Sequence, residues 1–107
     1  MIKYLYSLYN RMGGFYENPM ADLVEPKDYA QYMAQSLVYA DVPALTRYKE
    51  CDLVCLGSFD NKTGVINSNV EVLCSLEHVC SDLINSKVLK EAVENGKRKE
   101  NSNDASC

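Results

Sequence analysis

The sequence has no tryptophan, one histidine and three prolines, and no run of apolar residues approaches the roughly 18 a membrane-spanning helix requires. No membrane partner is expected. Polar residues interrupt Met1-Ile2-Lys3-Tyr4-Leu5-Tyr6 too early for the apolar core of a signal peptide, which points to a cytosolic protein. Glycine is scarce too: Gly13-Gly14 is a turn pair, Gly57 and Gly64 stand apart, and no phosphate-cradling loop can be assembled from them. With His78 the only histidine, no nucleophile has an evident base beside it. Asp52 and Asp60 read as strand-end and turn residues rather than as an acid–base pair. No catalytic residue is therefore assigned, and the protein is expected not to be an enzyme.

Five cysteines are an odd number, and their positions (51, 55, 74, 80 and 107) form no tight framework, so free thiols are expected. Cys74, His78 and Cys80 come nearest to a metal cluster. On a helix, however, Cys80 lies two residues past His78 and leaves the face that Cys74 and His78 share. Neither a metal nor a cofactor is expected. Basic charge is also short: 11 Lys and Arg against 15 Asp and Glu give a net charge of −4. Proteins that clamp nucleic acid with their whole surface show the opposite sign.

What is present is the composition of an ordinary globular domain, 47% hydrophobic and 24% charged over 107 residues. A single domain over residues 1–95 is expected, followed by a disordered polar tail over 96–107 that offers nothing large and apolar to bury. Ile2 to Tyr9 reads as a strand, Asn10 to Gly14 as a hairpin loop, and Phe15 to Glu17 as a short return strand ended by Pro19. Pro26 suits the first turn of a helix, and Tyr29, Met33 and Leu37 line one face of it to about residue 40. Asp41-Val42-Pro43 reads as its end, with a loop over 44–50. Asp52 to Phe59 is a second strand, and Asp60 to Gly64 a turn into a short strand at Val65-Ile66. Residues 70–74 fit a strand or a helix start equally well. Leu76, Val79, Cys80, Leu83 and Ile84 carry helical spacing, and that helix extends to about residue 94 unless Asn85-Ser86 breaks it. The expected fold class is α+β: two β-hairpins forming a small sheet, a central helix packed on it, a C-terminal helix and the tail.

Eight tyrosines crowd the first half of the chain. Tyrosine is a good strand former that buries its ring and leaves its hydroxyl wet, and it is also a residue on which single-stranded nucleic acids stack their bases. Before residue 87 there are six basic residues against eleven acids, too few for a strong electrostatic groove. If DNA is bound, the candidate contacts are Tyr4, Tyr6 and Tyr16 with Lys3 and Arg11, helped by Lys97, Arg98 and Lys99 from the tail.

The runs Tyr4-Leu5-Tyr6-Ser7-Leu8-Tyr9, Phe15-Tyr16-Glu17-Asn18-Pro19 and Tyr48 to Gly64 give the chain a resemblance. It is similar to the small non-structural proteins of gokushovirus-like microviruses, which are single-stranded DNA bacteriophages. The most distinctive element is Gly57-x-Phe59-Asp60-x-x-Thr63-Gly64. Asn10 stands where that family often has Asp, and Tyr32 to Ser36 replace a stretch that commonly holds Arg and Phe. The resemblance implies an accessory protein of the host cytoplasm that assists viral genome synthesis or packaging, with single-stranded DNA as a partner. The alternative is an adaptor for a viral or host protein, homo-oligomeric or not, with the exposed tyrosines as its contact patch.

Overall fold

The computed structural model describes residues 1–106, with side chains described for residues 1–92. Its elements are β1 (Ile2–Asn10), β2 (Phe15–Tyr16), β3 (Met20–Asp22), α1 (Pro26–Leu37), α2 (Val42–Tyr48), β4 (Cys51–Asp60), β5 (Ile66–Ser75) and α3 (Glu77–Ser106). This is an α+β fold. The five strands form one antiparallel sheet in the order β2-β1-β4-β5, with β3 also on β1. Among the described residues no helix is long and apolar enough to cross a membrane.

β1 and β2 make the first hairpin and β4 and β5 the second, joined where β1 lies along β4 from Ile2 opposite Asp60 to Asn10 opposite Cys51. After Pro19 the chain returns to β1 as β3, an edge segment that the sequence reading did not include. α1 stops at Leu37, three residues short of the expected end. The segment 44–50, expected as a loop, lies mostly in α2. The Asp41 side chain caps this helix by accepting the Ala44 N–H at 2.9 Å, and Pro43 sits in its first turn, where a missing N–H costs nothing. β5 is a full strand rather than a two-residue stub, because pairing with β4 settles residues 70–74 as extended. α3 runs through Asn85-Ser86 without a break. The tail expected over 96–107 lies outside the residues with described side chains.

Among the described residues, the helices pack on one side of the sheet. Tyr6, Leu53 and Cys55 from the strands meet Tyr29 and Leu37 of α1, Leu45 of α2, and Leu76 and Cys80 at the start of α3. The spacing of Tyr29, Met33 and Leu37 does place one helix face on the sheet, with Tyr29 and Leu37 buried and Met33 packed beside them.

The distinctive run from Gly57 to Gly64 has a structural explanation. The β1–β4 register slips between Leu5 and Tyr6, and Gly57 takes φ 145° there. A Cβ on Gly57 would stand 2.0 Å from the Asn67 carbonyl oxygen, so only glycine allows this approach. Asp60 then accepts the Lys62 N–H at 2.9 Å through its side chain and the Gly64 N–H at 2.8 Å through its carbonyl. Gly64 closes the turn at φ 76°.

Candidate interaction surface

The register assigns the opposite side of the sheet wherever residues are directly paired, since such residues share a face. Away from the helices lie the rows Ser7–Val54–Val72, Lys3–Phe59–Ile66 and Tyr16–Tyr9–Asp52–Ser75. The centre of this face is uncharged. Val54 is buried, whereas Ile66 and Val72, each 62% exposed, and Val70 beside them stand open to solvent. Among the strand residues of this face, Lys3 is the sole cation. An apolar centre with charge at its margin is the usual anatomy of a protein-binding patch, and monomeric surfaces rarely expose such patches without use.

The expected DNA-contacting residues do not gather in one place. Tyr6 is a core residue: it is 1% exposed, donates its hydroxyl to the Val24 carbonyl at 2.5 Å and stacks on Tyr29. Burial, reinforced by neighbouring Cys55 and Tyr29, pushes its phenol well above the ordinary range. Its ring is closed to a base. Tyr4 is half-buried on the same helix side, its ring centroid 6.5 Å from that of Tyr6. Tyr16 is on the other side, half-exposed and 4.9 Å from the Tyr9 ring. Lys3 shares that side, but six residues along β1 separate it from Tyr9, about 20 Å at strand rise.

Arg11 is engaged within the fold. Its guanidinium donates to the Asp52 carboxylate, to Ser75 Oγ at 3.0 Å and to the Lys49 carbonyl at 2.9 Å, clasping the first hairpin loop to the near ends of β4 and β5. Lys97, Arg98 and Lys99 lie outside the residues with described side chains. Among the described residues no three His, Cys, Asp or Glu side chains converge as metal ligands. Cys51, Cys55, Cys74 and Cys80 are free, and burial pushes the thiols of Cys51, Cys74 and Cys80 up, away from the reactive thiolate form.

The sequence reading missed Ile66, Val70 and Val72 as surface candidates. Their signal is present as Ile66-x-Ser68-x-Val70-x-Val72, a period of two with Asn67, Asn69 and Glu71 between. It becomes legible once residues 70–74 are known to be strand. Comparison with known proteins finds no matching family model, curated protein or solved structure.

Proposed function

We propose that the protein is a non-catalytic adaptor that holds a protein partner on the helix-free face of its sheet. One observation carries the reading: Val70, Val72 and Ile66 stand exposed around an uncharged centre that no described helix covers. Apolar contact with a charged margin suits a protein partner better than a phosphate backbone, which needs more cations than Lys3, the one that the strand residues of this face supply. In the setting implied by the resemblance to microvirus non-structural proteins, the adaptor serves genome synthesis or packaging in the host cytoplasm. The partner is then a viral or host protein, or a second copy of the chain.

The tilted Tyr9–Tyr16 pair on the same face favours a second reading, in which single-stranded DNA stacks on these rings. Titration of the full chain with a labelled oligonucleotide at ~50 mM and ~200 mM salt separates the two, because affinity that rests on phosphate contacts falls steeply over that range. No binding at either salt is the result expected of the adaptor. Binding that weakens with salt and is lost on Tyr16→Ala overturns it in favour of DNA.

A further inference from the structure

A hollow of about 420 Å³ opens on the helix side of the sheet, between the C-terminal half of α1 and the arc joining β2 to β3. Strand pairing explains why it is there. β1 holds β2 at Tyr9 and Asn10 and β3 at Tyr4 to Tyr6, leaving Glu17 to Pro19 to bow away from the sheet between them. The bow is pinned by the Glu17 N–H donating to the Leu8 carbonyl at 2.8 Å and by Ser7 Oγ donating to the Glu17 carbonyl at 2.6 Å. Leu8 and Leu37 line the hollow, with Met33 and Ala40 from the α1 side and Met20 from β3. Its volume lies within the ordinary range of small-molecule sites. Methionine thioethers are the side chains best able to mould to an apolar guest.

Glu17 is the single charged side chain lining the hollow. Among the described residues it has no ion-pair partner. A neighbouring hollow of about 560 Å³ shares Glu17 and Leu8 and adds one cation, Arg47, and one further carboxylate, Glu50. From this arrangement we propose that the hollow binds a small amphiphile with an apolar body and a cationic head, of the alkyl- or arylammonium class. The body occupies the space between Met20 and Met33, and the head is held at the Glu17 carboxylate. The site lies on the side of the sheet opposite the adaptor surface and does not depend on that reading.

Methyl-labelled methionine NMR on the full chain tests it, with decylammonium, decanol and decanoate each added below its micellar concentration. The Met20 and Met33 methyl signals should shift saturably with decylammonium while Met1 stays still. Decanoate should bind at least about tenfold more weakly, the worth of one charge-assisted contact. Glu17→Gln, an exposed substitution, should bring decylammonium down to the affinity of decanol, and Ala40→Trp should abolish the saturable shift by filling the hollow. No saturable shift in the parent overturns the proposal. So does equal binding of decanoate, undiminished decylammonium binding by Glu17→Gln, or a shift that Met1 shares.

Discussion

Tyr6 and Tyr29 lie face to face, their ring centroids 3.6 Å apart and their planes 9° from parallel. This contact is where α1 meets the sheet, and both rings are closed to solvent. Tyr6→Phe keeps the ring but strips the Val24 carbonyl of its donor, and should cost about 1–3 kcal/mol. Tyr29→Ala, which removes a buried ring, should cost about 3–5 kcal/mol. Denaturant titration of both variants checks the order; equal and negligible losses would remove Tyr6 and Tyr29 from the core.

Stability should fall in alkali. Burial raises the folded-state pKa of Cys80 above the ordinary 9.0, and of Tyr6 and Tyr29 above the ordinary 10.0. For a group whose folded pKa is raised, the stabilisation is complete below the unfolded pKa and is lost as pH climbs from there toward the folded value. Melting temperature should therefore hold to about pH 9 and then decline, with the share of the phenolate absorbance that belongs to Tyr6 and Tyr29 rising late and together with unfolding. A Tyr6→Phe/Tyr29→Phe variant should show a shallower decline relative to its own neutral-pH stability. An unchanged slope would contradict the assignment.

Gly57→Ala should be damaging, because Gly57 is a buried strand residue at a positive φ. The positive φ alone accounts for about 1–3 kcal/mol, and the approach to the Asn67 carbonyl adds to it by forcing β4 and β5 apart. Hydrogen exchange should show the loss first in the β4–β5 ladder. Protection there equal to the parent's would show that the approach is not needed.

Arg11→Ala should lower stability by about 1 kcal/mol, since it breaks the bonds to Asp52, Ser75 and Lys49. It should leave any partner affinity within about twofold, as a structural clasp rather than a contact residue would. A large loss of binding at parental stability would return Arg11 to the contact set.

Much of this fold is written in local pattern. The period-four row of α1 and the Asp60–Gly64 turn chemistry are readable because each depends on residues close in sequence. β5 is not, since Val70 to Cys74 suits strand and helix alike until Val72 meets Val54 and Cys74 meets Leu53 across the ladder. Asp41-Val42-Pro43 carries two meanings, ending one helix and capping the next, and a stop signal alone does not reveal that α2 follows. Identifying the interaction surface fails for the same reason at larger scale. Tyr6 and Tyr16 look alike in sequence, and the side each takes depends on where the helices settle. The apolar face itself appears only when β1, β4 and β5 are placed in register.

The most direct test of the adaptor surface compares three forms of the chain in affinity capture from a cell lysate: the parent, Val72→Lys, and Val88→Lys as a control on α3. Both substituted valines are more than half exposed, so all three forms should melt alike. A protein retained by the parent and by Val88→Lys should be lost about tenfold or more from Val72→Lys, the effect of a charge placed at the centre of an apolar contact. Equal retention by all three, or equal loss from both variants, would contradict a binding role for the helix-free face.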